Sequence, residues 1–312
     1  MLTIFAVPKP FQGHIGMIQR NAIRSWLALR PRCQIILLGD EEGTADVART
    51  FGVTHAATVA RNEYGTPLLN DVFQRAESLA AHDLTCYVNC DIILRKNLLP
   101  GIDEVRRVKN RFLIIGQCMD VNVDEELAFG DPAWEDDLQQ KVEVEGTLRN
   151  PRSKDYFIFP RGLYPKLPPF ALGRAYFDCW LVWKALKSRA AIVDATPVVL
   201  AVHQSHTYSH LAGGFSESLY GKEAQRNLEL AGGRAHGRHI YDANYRLTKN
   251  GLKWHVRGWL RVGHLLHLLR SYRRMGWEDW WWLALENTRS LRHAFGFNLH
   301  NFQRVKSYFT RG

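Results

Sequence analysis

Through its first 120 residues the chain alternates short apolar runs with amphipathic segments, and this rhythm limits the fold more than any other feature of the sequence. Residues 2–7 read as a first strand. Ile15, Ile18, Ala22 and Trp26 then recur at helical spacing. An apolar run at 34–38 is closed by Gly39-Asp40, and a helical pattern follows at 44–51. A short piece at 53–59 leads into a turn-rich stretch from Arg61 to Pro67, then a helix over 68–81 and a strand over 84–88. Strands alternating with helices in this way predict βαβ units and a mainly parallel sheet. Crossovers in such sheets are right-handed, and ligands lie beyond the carboxyl ends of the strands.

The 312 residues, 46% hydrophobic and 23% charged, supply enough material for one large domain or two. They exclude a collagen-like, coiled-coil or largely disordered chain. No uninterrupted run of ~18 apolar residues suggests a spanning helix. The N-terminus lacks a basic segment and a small-residue cleavage site, so it reads as a strand and not as a secretory signal. Cys33, Cys86, Cys90, Cys118 and Cys179 sit in apolar runs without metal-ligand spacing, which predicts reduced thiols in a cytoplasmic setting.

The net charge of +10 is unevenly placed. Residues 246–312 hold 13 Lys/Arg against 3 Asp/Glu, leaving 28 of each in residues 1–245. The same section carries six of the ten tryptophans. The chain therefore divides into a balanced body, 1–245, and a basic, Trp-rich helical C-terminal extension, 246–312. Within the body, residues 120–150 are acidic and break the strand–helix rhythm, as a surface insertion would. Regular pattern resumes with a strand at 156–159, a Pro-rich bend at 165–169, a helix at 174–187 and strands at 191–193 and 198–202.

Three places carry candidate chemistry. Asn89 and Asp91 interrupt an apolar run and share one face at period two. A buried carboxylate costs several kcal/mol unless it is paired or metal-bound. At the carboxyl end of a central strand, Asp91 suits a hard divalent cation held against a diphosphate, and Asn89 suits a ribose or phosphate; the bland alternative is that Asp91 caps the next turn. His203, His206 and His210 follow an apolar strand, and His203 at its end is placed to complete the same coordination. Loop histidines bonding backbone groups are the alternative, weightier for His206 and His210. Asp178, at the start of an aromatic helix, is a candidate general base, although a helix N-terminus makes it a weak one. Lys9, Asp40, Arg61, Asn62 and Thr66 lie at strand and loop ends on the expected ligand side. No GxGxxG, P-loop, GxSxG or CxxC occurs.

Together these segments resemble the GT-A-fold, nucleotide-sugar-dependent glycosyltransferases over roughly residues 1–210. The resemblance rests on Gly13–Trp26 after the first strand, Leu37-Leu-Gly-Asp40-Glu-Glu-Gly, Arg61 to Asn70, the strand entering Asn89-Cys-Asp91, Lys154-Asp155-Tyr-Phe-Ile-Phe-Pro, Gly173–Trp180 and His203. It implies a GT-A-like (Rossmann-like) α/β fold with a mostly parallel sheet flanked by helices. It also implies a metal-dependent transfer of a sugar from a nucleotide-diphospho-sugar donor to a glycan, lipid-linked or small-molecule hydroxyl acceptor, in glycan, polysaccharide or glycolipid synthesis. By the same resemblance Asp91 and His203 bind Mn²⁺ or Mg²⁺. Lys9, Asp40, Arg61, Asn62, Thr66, Asn70 and Asn89 lie along the nucleotide sugar, and Asp155 and Asp178 face the sugar or acceptor. Asn89 departs from the family's D-x-D pattern, where Asp is usual, which weakens metal binding. With Asp178 as base opposite the leaving group, the transfer inverts configuration.

Two rivals remain at the level of sequence. A sugar-phosphate nucleotidyltransferase would show a Gly-rich, basic loop after the first strand, of which Pro8-Lys-Pro-Phe-Gln-Gly is a poor version. The other is a non-catalytic nucleotide- or glycan-binding protein. The C-terminal section suits peripheral contact with an anionic membrane or docking on the body, and nothing in it reads as a nucleic-acid motif.

Overall fold

The structure, a computed structural model, describes residues 1–206 and 214–255. His210 and residues 256–312, with most of the basic Trp-rich section, lie outside the described residues. The first half runs β1 (Leu2–Ala6), α1 (Gly13–Ala28), β2 (Gln34–Leu38), α2 (Thr44–Phe51), β3 (Thr54–Ala56), α3 (Leu69–Leu79), β4 (Leu84–Val88), β5 (Ile92–Ile93) and α4 (Leu98–Arg106). It continues with β6 (Phe112–Ile115), β7 (Cys118–Val121), α5 (Trp134–Glu145), β8 (Thr147–Leu148) and β9 (Tyr156–Pro160). The remainder is α6 (Phe177–Lys187), β10 (Ala191–Asp194), β11 (Ala201–Gln204), α7 (Gly214–Tyr220), α8 (Lys222–Leu230), β12 (Tyr245–Thr248) and β13 (Gly251–Trp254).

Nine strands form the main sheet in the order β13-β12-β10-β6-β9-β4-β1-β2-β3. β4, β1, β2 and β3 are mutually parallel, as are β6, β10 and β12. β9 runs antiparallel between the two groups, pairing with both β4 and β6. A smaller sheet, β5-β11-β7-β8, pairs β11 with β7 in parallel and with β5 antiparallel. The expected α/β class and mostly parallel sheet are therefore present.

The central strands are continuous apolar runs because both of their faces are covered. One set of alternate residues, including Ile4, Cys86, Ile158 and Ile114, enters the large core with Trp26. The opposite face presents Phe5, Tyr87 and Phe159, which surround Phe73 of α3 with ring centroids 5.2 to 5.6 Å away. Such aromatic contacts add about 0.5–1.5 kcal/mol each beyond their area.

Two sequence expectations are corrected. Residues 246–255, assigned to a helical extension, instead form most of the β12–β13 hairpin at the edge of the main sheet, where β12 pairs with β10. Residues 120–150 are not an irregular insertion: β7 and β8 belong to the small sheet, and α5 packs on β7. The acidic cluster that obscured the pattern begins this helix, with Glu135, Asp136 and Asp137 in its first turn, where the helix dipole favours negative charge. Among the described residues no helix is long and apolar enough to cross a membrane.

α1 is tied to the small sheet by side chains that are polar yet buried. Trp26 Nε1 donates to the Ile92 carbonyl at 2.9 Å, and the Leu94 N–H donates to Ser25 Oγ at 3.0 Å. Asn21 donates to Gln204 Oε1 at 3.1 Å, and Gln204 in turn donates to the Ile18 carbonyl at 2.7 Å. Replacing Trp26 by Phe keeps much of the ring volume and orphans the Ile92 carbonyl, a loss of about 1–3 kcal/mol. Trp26→Ala adds a cavity and is expected to cost about 3–5 kcal/mol. Urea unfolding midpoints of the two variants check both values and their order.

Candidate active site at the carboxyl edge of the sheet

The chain leaves β1 toward β2 and β3 on one side, and β4 then pairs on the other side of β1. This reversal opens a crevice between the carboxyl ends of β1 and β4, the place where parallel α/β sheets take ligands. Lys9 follows β1, Asp40 follows β2, Arg61 follows β3, and Asn89 and Asp91 follow β4. β9 runs the other way, so Asp155, just before its start, arrives at the same edge. The Asn89 N–H donates to the Asp155 carbonyl at 2.9 Å, and Asn89 Nδ2 donates to Asp155 Oδ1 at 3.2 Å.

Asp91 lies in the turn between β4 and β5, and β11 brings His203 to it. Asp91 Oδ2 is 2.9 Å from His206 Nε2 and 3.7 Å from His203 Nε2. One donor atom from each of the three residues falls within 4.8 Å of the others. Neighbouring ligands of one ion, at bonds of about 2.1 Å, stand about 3 Å apart, so the cluster is of the right size for a divalent cation. Asp91 Oδ1 is buried and has no hydrogen-bond partner among the described residues. An orphaned carboxylate oxygen in a buried site is what a metal would satisfy. Burial opposes ionisation of Asp91, but His203, His206 and Lys9 outweigh it and hold the carboxyl well below the ordinary carboxylate range. Burial disfavours the charged form of His203 as well, and Asp91, Asp120 and Asp155 more than offset that.

The other predicted residues have definite places. Burial lowers the Lys9 ammonium, opposed by Asp91 and Cys90, and nearby Arg174 adds to the lowering. Asp40 is 69% exposed at its side chain and accepts from Arg61 at 2.6 Å, which lowers its carboxyl. Asn62 is committed within its own turn: its Oδ1 accepts from the N–H groups of Tyr64 and Thr66, and its Nδ2 donates to Glu223 at 2.7 Å. Arg174 reaches the same Glu223 at 2.7 Å and donates to Thr66 Oγ1 at 3.4 Å. Asn70, in the first turn of α3, has a buried Oδ1 without a hydrogen-bond partner among the described residues.

Asp178 stands in the first turn of α6, preceded by Tyr176 at φ 84°, a strained backbone for a residue with a side chain. Its Oδ2 is 2.8 Å from Lys154 Nζ, and the Lys154 side chain is 0% exposed. Burial pushes the Asp178 carboxyl up, but Lys154 outweighs it and leaves the group below its ordinary range. Burial also raises Asp155, only partly opposed by Arg149 and His203. Lys154 Nζ further approaches His239 Nδ1 at 3.4 Å, donating to a neutral ring.

Several residues of the site escaped the sequence reading. His206 was seen only as one of three loop histidines, and Asp120 and Arg149 fell in the acidic stretch without a recognisable element. Their signal lies in strand register, since Asp120 of β7 pairs directly with His203 of β11. His239 and Glu223 have no local sequence signal, and Lys154 stands in the segment 154–160 without a role of its own.

No protein-family model matches the sequence. No curated protein matches it either. Among solved structures the chain is similar to glucosyl-3-phosphoglycerate synthase from Mycobacterium tuberculosis in complex with Mg²⁺ and uridine diphosphate, at 14% identity over 75% of this chain and 80% of that one, with a TM-score of 0.46. The same enzyme in complex with phosphoglyceric acid gives 15% identity, 75% and 80% coverage and a TM-score of 0.47. TarS 1-349 of S. aureus gives 10% identity, 59% and 54% coverage and a TM-score of 0.40. At such identities and TM-scores the likeness is one of chain trace, and the chemistry has to come from the residues themselves.

The His239 ring is pushed down to about 3 by burial and then by Lys154. An unfolded histidine titrates near 6.5, so between those values the unfolded chain holds the extra proton. Stability therefore falls as pH drops below about 6.5, by up to ~1.4 kcal/mol per pH unit for this group alone. Between pH 7 and pH 5 His239 is expected to cost the wild type about 2 kcal/mol, and His239→Gln should remove that share. Urea unfolding of both proteins at the two pH values measures the difference.

Proposed function

We propose that the protein is a metal-dependent glycosyltransferase that moves a sugar from a nucleotide-diphospho-sugar to a hydroxyl acceptor. The convergence of Asp91, His203 and His206 beside the β1–β4 crevice carries this reading. A bound divalent cation supplies charge neutralisation on the departing nucleoside diphosphate. Asp91, His203 and His206 would hold it, and one carboxylate with two imidazoles favours a cation tolerant of nitrogen ligands, Mn²⁺ ahead of Mg²⁺. Asn89, in place of a second carboxylate, leaves the imidazoles a larger share of the coordination.

Lys9 and Arg174 lie on the ligand side as cations for the phosphate groups. Asp40, exposed beyond β2, and Arg61, half-buried beyond β3, run along the nucleoside in this reading, with Asn62, Thr66 and Asn70 in the wall behind them. Asn89 and Asp155 form one bonded unit between the cation cluster and β9, facing the sugar. Asp178 receives the proton of the attacking acceptor hydroxyl, and inversion at the anomeric carbon follows. The Lys154 ammonium keeps Asp178 ionised at neutral pH and makes it a weak base, so it accepts the proton late in the transfer. The acceptor is a glycan, a lipid-linked saccharide or a small hydroxyl compound, as in polysaccharide or glycolipid synthesis.

Titration calorimetry should show Mn²⁺ bound more tightly than Mg²⁺, and Asp91→Ala, which removes the one carboxylate of the three-residue cluster, should weaken Mn²⁺ by at least about 100-fold, more than the loss of an outer-shell partner costs. A thermal-shift screen of UDP, GDP, dTDP and CDP should find one nucleotide whose stabilisation needs Mn²⁺; no shift with any of them overturns the reading. Asp178→Asn is expected to cut turnover about 10²–10⁴-fold and to leave nucleotide affinity intact. A purely binding protein would show the affinity and no turnover to lose.

A further inference from the structure

His203 has two ring nitrogens, and their surroundings differ. Nδ1 is 2.6 Å from Asp120 Oδ1, while Nε2 is 3.7 Å from Asp91 Oδ2. An ionised carboxylate only accepts, so the short contact is an Nδ1–H donated to Asp120. In the neutral ring Nε2 then carries the lone pair, and it is the nitrogen that faces the Asp91 cluster. The placement follows from backbone register, because β7 and β11 are parallel neighbours and His203 pairs with Asp120.

Asp120 is itself held from behind. Arg149 Nη1 lies 2.7 Å from Asp120 Oδ1, and Arg149 Nε lies 3.2 Å from Asp155 Oδ2. The Arg149 N–H donates to the Cys118 carbonyl at 3.0 Å, which fixes the arginine backbone against β7. One guanidinium therefore spans two carboxylates: Asp120, which touches His203, and Asp155, which is bonded to Asn89.

We infer that Asp120, braced by Arg149, is a positioning residue that fixes His203 in the Nδ1–H tautomer and turns its Nε2 lone pair onto the cation cluster. The inference rests on the metal reading above for its purpose, though not for its geometry. Carboxylate partners of this kind fix the ring orientation of ligating histidines and raise their basicity. Asp120 needs no contact with the cation or the substrate to act in this way.

Two measurements on the full chain test the inference. The first is a long-range ¹H–¹⁵N spectrum of ¹⁵N-histidine-labelled protein without metal, taken at the alkaline end of a pH series, beyond the last change in the His203 ring shifts. The His203 signals are identified by their loss in His203→Gln. The wild type should show the Nδ1–H tautomer, Asp120→Asn should retain it because its side-chain oxygen still accepts, and Asp120→Ala should lose it. The second is calorimetric titration with Mn²⁺ alone, in which Asp120→Ala should bind about 10–100-fold more weakly and Asp120→Asn by a smaller factor. Far-UV circular dichroism confirms that each variant is folded. An Nε2–H tautomer in the wild type overturns the inference. So does an Asp120→Ala variant that keeps either the wild-type tautomer or the wild-type Mn²⁺ affinity. If the wild type binds no Mn²⁺, the metal reading fails, and the Asp120–His203 assignment is decided by the spectra alone.

Discussion

A carboxylate taken out of water at the end of β4 is the constraint that organises this molecule. Its desolvation costs several kcal/mol unless positive charge or donors meet it. Each element around Asp91 brings such a group: Lys9 from the turn after β1, and His203 and His206 from the end of β11. The small sheet places β11 beside β5, so that the histidines approach Asp91 at all. The same anion that is expensive to bury is, for that reason, a strong ligand for a cation.

Rigidity behind the site comes from polar groups in the buried face of α1. Gln204 donates to the Asp91 carbonyl at 3.1 Å as well as to the Ile18 carbonyl, while Asn21 donates to Gln204. Trp26 and Ser25 hold the two ends of β5. A satisfied network of this type fixes one arrangement, whereas apolar packing alone tolerates many. The Asp91 turn is consequently held by its backbone, and its side chain remains available to the ligand side.

The sequence made one half of this structure legible and concealed the other. β1 to β4 and their helices were readable because buried parallel strands are apolar runs bounded by turn residues, and Asn89 and Asp91 stand out against such a run. Asp91 and His203 were found as the ends of two strands. Their meeting with His206 depends on how the two strands pair, which no local pattern encodes. Asp120 was hidden because acidic residues that favour the start of α5 made 120–150 look like an irregular loop. Residues 246–255 share the basic charge of the Trp-rich section that follows them, which masks a strand pattern: the alternation at Tyr245, Leu247 and Leu252 builds a hairpin whose Leu247 is buried in the large core. The pairing of Asp178 with Lys154 joins two distant segments and leaves no trace in either.

β9 has a consequence for how the polypeptide is made. It fills the space between β4 and β6, yet it follows both of them in the chain. Until residue 160 has left the ribosome, the early four-stranded layer keeps an open rim at β4, and β6 has no neighbour on that side. Exposed strand rims of this kind invite pairing with other chains. The nascent protein thus passes through a vulnerable interval that ends when one reversed strand closes both rims, and the same insertion delivers Asp155 to its place.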